Sequence, residues 1–321
     1  MQPLLSVHNV TVTYRSSDRP EIRALEDVTF EVAAGEAVGL LGESGCGKTT
    51  LALTLLKSLP QAARVLRGSV IFRGTDLLTL EESGVQKVRG AGISMVHQEP
   101  GLALNPVIRV GDQVSEVLRA HQTMTAARAK EEARSLLLQV GFAADSRVWD
   151  AYPHQLSGGQ QQRVAIAQAI ACRPPLVIAD EPTTALDVAA QIEILALLKS
   201  LKEKLQMAVL IITHETWPLT QFVDRVLVMY AGRIVEEGPA RRVLEQPLHP
   251  YTCGLLRSRP MGPHKRLLEP IPGEPPDPAN LPAGCAFSPR CSDVMNVCHN
   301  RAPQYFSPEA SHHVACFKYA E

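Results

Sequence analysis

Nine consecutive residues, Gly42, Glu43, Ser44, Gly45, Cys46, Gly47, Lys48, Thr49 and Thr50, carry the clearest chemistry in the chain. They fit GxxxxGK[S/T] and follow the apolar run Ala37-Val-Gly-Leu-Leu41, the setting of a phosphate-cradling loop between a strand and a helix. Glycines let backbone N–H groups converge where a Cβ would crowd a phosphate. Lys48 supplies a point charge for β- and γ-phosphates, and the Thr49 hydroxyl suits Mg²⁺. Downstream, Leu176-Val-Ile-Ala-Asp180-Glu181 reads as an apolar strand ending in two carboxylates. Asp180 is expected to hold Mg²⁺ through water and Glu181 to act as the general base that orients water for in-line attack. Gln98, after Ile93-Ser-Met-Val, could reach the Mg²⁺ or that water, against the plainer reading of a polar loop residue. His214 closes a third apolar run, Val209-Leu-Ile-Ile-Thr.

These positions need a scaffold that brings strand ends together. In a doubly wound sheet ligands bind at the carboxyl ends of parallel strands, so Lys48, Gln98, Asp180, Glu181 and His214 are expected to converge. Before the phosphate loop, Val10–Tyr14 and Val28–Val32 alternate as antiparallel strands do. Tyr14 ends the first of them, where it fits either base stacking or a half-buried strand position. A helix is expected from Thr50 to Leu59 and helical patterns from Val110 to Phe142, an insertion at about 100–165. Leu156-Ser-Gly-Gly-Gln160 opens a further helix, so Ser157, Gly158, Gly159 and Gln160 form a second anion site or an ordinary Ser cap. After Asp187 an amphipathic helix aligns Ile192, Leu195, Leu198, Leu201 and Leu205 on a core face. Val226–Tyr230, the Ala231-Gly232 turn and Arg233–Glu236 read as a hairpin. The expected architecture is α/β: a P-loop NTPase domain over residues 1–240, with an antiparallel β subdomain, and a C-terminal extension over 241–321.

The chain has 321 residues with a net charge of −1. That balance argues against a nucleic-acid partner. The N-terminus lacks a basic segment before an apolar core, and no apolar run approaches the ~18 residues of a membrane span, so a soluble, cytoplasmic chain is expected.

Beyond Leu248 the prolines at 260, 263, 270, 272, 275, 276, 278 and 282 suggest an extended strap without regular structure. It leads to Cys285, Cys291, Cys298 and Cys316, in a segment too short to build its own core. Four thiolates on one metal centre would hold it together. Their spacing lacks the close pairs zinc prefers and leans slightly toward an iron–sulfur cluster, while His299, His312 and His313 leave a mixed Cys/His zinc site open.

Taken together, the motifs resemble the ATP-binding subunits of ATP-binding-cassette (ABC) transporters. GESGCGKTT is similar to the Walker A loop, Gln98 to the Q-loop, LSGGQ to the signature, LVIADE to the Walker B strand, Ala185-Leu-Asp187 to the D-loop and His214 to the switch histidine. Gln98–Pro106, Tyr152–Gly159, His249-Pro-Tyr-Thr252 and the stretch from Ile271 to Cys291 further resemble the oligopeptide, dipeptide and nickel uptake group. Gln168 and Cys253 stand where related sequences commonly carry Arg. The resemblance implies ATP and Mg²⁺ as cofactors, with Tyr14 stacking on adenine and Thr49, Gln98 and Asp180 at the metal. It implies a head-to-tail pair with an identical or homologous ATPase subunit, each ATP lying between the Walker A loop of one and the signature of the other. Two membrane permeases and an extracytoplasmic substrate-binding protein would complete an importer, with this chain on the cytoplasmic face of the inner membrane. In some members the C-terminal cysteines hold a 4Fe-4S cluster, which the four cysteines here would fit. A catalytically silent nucleotide-sensing partner and a non-transport ABC ATPase are the competing readings.

Overall fold

The computed structural model describes residues 2–320 except 17–18, 145–146, 185 and 259–268. In chain order the elements begin with β1 (Leu5–Ser16), β2 (Arg19–Val32), β3 (Ala37–Leu41), α1 (Lys48–Leu55), β4 (Ala63–Phe72) and β5 (Thr75–Asp76). Next come α2 (Glu82–Val88), β6 (Ile93–Val96), α3 (Pro100–Ala103), α4 (Val110–His121), α5 (Ala126–Gln139), α6 (Gly158–Ile170), β7 (Leu176–Asp180), α7 (Val188–Leu205) and β8 (Ala208–Thr213). The chain finishes with α8 (Trp217–Phe222), β9 (Arg225–Tyr230), β10 (Arg233–Pro239), α9 (Ala240–Glu245), α10 (Pro250–Arg257), α11 (Asn296–Asn300), β11 (Phe306–Glu309) and β12 (His312–Val314). It divides into two compact units: residues 1–33, 37–79 and 212–321, and residues 34–36 and 80–211.

In the first unit β2, β1, β4 and β5 form an antiparallel sheet in that order. A second set of neighbours runs β11, β12, β10, β9, β3. There β3 and β9 are parallel while β9, β10, β12 and β11 pair antiparallel. All five residues of β3 are buried, as an unbroken apolar run covered on both faces should be. The β9–β10 hairpin forms where expected, with Ala231 and Gly232 both in the left-handed region that a two-residue primed turn needs. Helix α1 starts at Lys48 and stops at Leu55, earlier than the expected Leu59, because Lys57 takes a left-handed conformation (φ 48°) before Pro60.

The second unit carries the helical insertion beside buried strands. β6 and β7 pair in parallel, and all residues of β7 are buried, as are those of β8, whose Ala208–Ile211 belong to this unit. Thr125 caps α5, its hydroxyl accepting from Arg128 N at 3.3 Å, and Ala129, Ala133, Leu136 and Leu137 face inward. On α7, Leu195, Leu198 and Leu201 are buried as the spacing requires, but Ile192 is 54% exposed and Ile194 takes the inner position.

The C-terminal region departs from the expected strap. Pro250 occupies the first turn of α10, the helical position that tolerates a missing N–H, with His249 as its cap. Residues 269–287 do lack regular elements; Pro260 and Pro263 lie outside the described residues. Then β12 pairs with β10 (Glu236↔Val314), so the extension lengthens an existing sheet instead of building a core alone. Tyr230, Tyr251 and Phe287 form an aromatic cluster, with ring centroids 4.5–5.5 Å apart. Glu236, fully buried, accepts from Leu248 N (2.8 Å), His249 N (2.9 Å) and His312 Nε2 (2.8 Å), tying both ends of the extension to one strand.

Candidate functional site

In the first unit, β3 delivers the chain into the loop at Gly42 and α1 begins at Lys48. Gly47 sits at φ 110°, and a Cβ there would lie 2.5 Å from Ala24 O; one on Gly42 would lie 2.4 Å from Met229 O. The loop is thereby pressed against β2 and the end of β9, and Gly232 N donates to Cys46 O at 2.9 Å. Lys48 is buried, its Nζ donating to Gly42 O (3.0 Å) and Glu43 O (2.9 Å). The ammonium therefore bridges the loop's own carbonyls. Helix α1 has no side-chain cap and no acidic residue in its first turn, which leaves its positive end suited to an anion. Tyr14, at the end of β1, places its hydroxyl 3.3 Å from Thr50 Oγ1, so its ring stands beside the helix start. These features fit a nucleotide triphosphate: a cradle that side chains would fill, a lysine at its mouth and an aromatic at its edge.

Glu43 is held at several points. Its N–H donates to Tyr251 Oη (2.9 Å), and its carboxylate receives two N–H groups of Arg290, at 2.8 and 3.1 Å. Arg290 in turn donates from Nε to Pro272 O at 3.0 Å and lies over the Tyr230 ring. Burial opposes the Arg290 charge, but Glu43 and the Tyr230 hydroxyl more than offset it and raise its pKa. Arg290 and Tyr251 lie inside motifs that the sequence singled out, yet nothing in their spacing assigned them to the loop.

In the second unit, parallel pairing sets Val96 beside Ala179, so two residues further on Gln98 comes beside Glu181. Gln98 Nε2 donates to Glu181 Oε2 at 2.9 Å, and Thr184 Oγ1 donates to the same oxygen at 2.9 Å. Asp180 and Glu181 are both buried. Glu181 adopts φ 47°, a conformation that costs a non-glycine residue ~1–3 kcal/mol and concentrates at functional sites. Ser157 caps α6 in a reciprocal box: its hydroxyl accepts from Gln160 N (3.3 Å) and Gln160 Oε1 accepts from Ser157 N (3.0 Å). Ser157, Gly158 and Gln160 are exposed and Gly159 is half-buried. Asp187, also exposed, caps α7 by accepting from Ala190 N at 2.9 Å. Ala185 lies outside the described residues. Structure thus joins Gln98 to Glu181 within one unit and places Tyr14, Lys48, Thr49, Thr50 and His214 in the other, His214 half-buried just past β8.

The expected metal centre at Cys285, Cys291, Cys298 and Cys316 is not supported. Among the described residues no group of three or more His, Cys, Asp or Glu side chains is arranged to hold a metal ion. The four cysteines line one cavity of about 10 Å³ with Phe287, Met295 and Phe317, room for roughly one water. Burial raises the Cys285 and Cys316 thiols and pushes Cys291 up to about 11. Among the described residues neither the iron–sulfur cluster nor the zinc alternative has an arranged ligand set, and the contacts that tie the extension down are the aromatic cluster and the Glu236 hydrogen bonds.

Residues 25–184 match the ABC transporter family, and residues 235–298 match the oligopeptide/dipeptide transporter C-terminal region. The chain belongs to the ABC transporter family, as one of its ATPase subunits. Among its relatives is a putative peptide import ATP-binding protein of Brucella melitensis, 43% identical over 100% of this chain and 98% of the relative. A second from the same organism, carrying the same description, is 45% identical over 94% and 91%. Of solved structures, the dimeric ATP-binding cassette MJ0796, bound to ADP and Pi, superimposes with a TM-score of 0.65 at 30% identity, covering 74% of this chain and 99% of that one. CbiO1 of Clostridium perfringens gives 0.66 at 27% identity, covering 77% and 92%. No described helix is long and apolar enough to cross a membrane.

Proposed function

We propose that this chain hydrolyses ATP at a head-to-tail interface with a second ABC subunit, identical or homologous, and drives peptide uptake through two membrane permeases. Its station would be the cytoplasmic face of the membrane, with an extracytoplasmic binding protein delivering cargo to the permeases. The observation that carries the catalytic part is the buried, strained Glu181 carboxylate, fixed on one oxygen by Gln98 and Thr184. Held in this orientation, the carboxylate would orient water and take its proton. Lys48 leaves the Gly42 and Glu43 carbonyls for the β- and γ-phosphates, and the N–H groups of residues 42–50 cradle them. Tyr14 stacks on adenine, and His214 approaches the γ-phosphate. Thr49, Asp180 and Gln98 would hold Mg²⁺, which when bound neutralises charge on the phosphate oxygens. The exposed Ser157–Gln160 turn and Asp187 would face the partner's nucleotide, Ser157 exchanging its own cap for a phosphate oxygen.

Peptide cargo rests on the match of residues 235–298 to the oligopeptide/dipeptide transporter C-terminal region and on the descriptions of the Brucella relatives. The test is growth of cells lacking this chain, auxotrophic for one amino acid supplied only inside an oligopeptide. Growth should fail, returning with the wild-type chain and not with Glu181→Gln. Growth without the chain would overturn the assignment of cargo.

A further inference from the structure

Glu43 is the one acidic side chain among residues 42–50, where a polyphosphate would be bound. A carboxylate there repels the ligand unless it is neutralised. The neutralising group comes from the far end of the chain: Arg290 forks onto both carboxylate oxygens, with the Arg side chain 4% and the Glu side chain 23% exposed. Two fixed anchors aim the guanidinium, Pro272 O on Nε and the Tyr230 hydroxyl on Nη1 (3.4 Å). Tyr251 of α10 takes the Glu43 N–H from the same side. The backbone carbonyl of Glu43 accepts from Lys48 Nζ (2.9 Å) and Cys46 N (3.3 Å). Each polar group of this residue is therefore fixed, two of them by residues beyond 248.

From this we infer that Arg290 is a positioning residue for nucleotide binding: it fixes Glu43 and neutralises the one carboxylate of the phosphate loop, so the C-terminal region sets the affinity for MgATP. The inference rests on residues 42–50 being the phosphate loop. Bidentate geometry demands arginine, because a lysine delivers a point charge without the planar fork. Coupling is also reciprocal: if the extension raises nucleotide affinity, bound nucleotide must tighten the extension.

The experiment measures MgATP binding by calorimetry on the full-length chain as wild type, Arg290→Met, Arg290→Lys, Glu43→Gln and the Glu43→Gln/Arg290→Met pair. Arg290→Met should weaken binding about five- to thirty-fold, the size of a one-to-two kcal/mol effect. Arg290→Lys should recover only part of it. In the Glu43→Gln background, Arg290→Met should change affinity less than about two-fold, since no carboxylate remains to repel phosphate. In steady state Arg290→Met should raise KM for ATP and spare kcat. MgATP should also slow amide exchange across residues 271–291 in the wild type and not in Arg290→Met. Equal loss of affinity with and without Glu43 would overturn the inference and reduce Arg290 to a general packing role. Wild-type affinity in Arg290→Met would overturn it while leaving the ATPase reading intact. Absence of MgATP binding by the wild type would overturn both.

Discussion

Acid should weaken the C-terminal region through one histidine. His249 is 2% exposed and caps α10 with Nδ1, which accepts from Tyr251 N at 3.0 Å and so must be unprotonated. Burial lowers its pKa from 6.5 to about 4, only partly countered by the nearby Glu236 carboxylate and a hydrogen bond to the Ala315 backbone. Because the folded pKa lies below the unfolded one, this imidazole contributes full stability above pH 6.5 and loses it as pH falls toward 4. The linkage relation gives a loss of about 2 kcal/mol at pH 5 and about 3 kcal/mol below pH 4. Urea unfolding at pH 7 and pH 5, followed by tyrosine fluorescence, reads the loss. His249→Asn keeps a capping oxygen without the titration, so it should lose less stability over that interval by about 2 kcal/mol. Equal losses in wild type and His249→Asn would refute this account of the cap.

Other outcomes follow from the same structure. Glu236→Ala strands two backbone N–H groups and His312 in the core and should destabilise by ~3–5 kcal/mol in chemical denaturation. Gly47→Ala forces a Cβ against Ala24 O at a left-handed position, so calorimetry should find nucleotide binding lost while the circular dichroism spectrum is retained. On α7, Leu198→Ala should cost about 2–5 kcal/mol and Ile192→Ala within ~0.5 kcal/mol, a contrast that urea midpoints would check.

Much of this was legible from local pattern. Unbroken apolar runs give β3, β7 and β8, and the Ala231-Gly232 pair gives its hairpin. What escaped depends on pairings between residues far apart in sequence. Arg290 meets Glu43 across 247 positions and His312 meets Glu236 across 76, and no periodicity encodes either. Ile192 fits the helical stripe of α7, but periodicity does not say where a stripe leaves the core, and this end is exposed. The cysteines misled for a related reason. Sequence showed a segment short of core and supplied a metal to hold it, whereas tertiary structure pairs it with β10 and packs Phe287 against Tyr230 and Tyr251.

The most direct test of the central claim is ATP turnover by the purified chain, alone and with its permeases, for wild type and Glu181→Gln at saturating MgATP. If Glu181 is the base, turnover should fall by ~10²–10⁴-fold while MgATP binding persists. Turnover unchanged by Glu181→Gln would contradict the assignment of catalysis to this carboxylate.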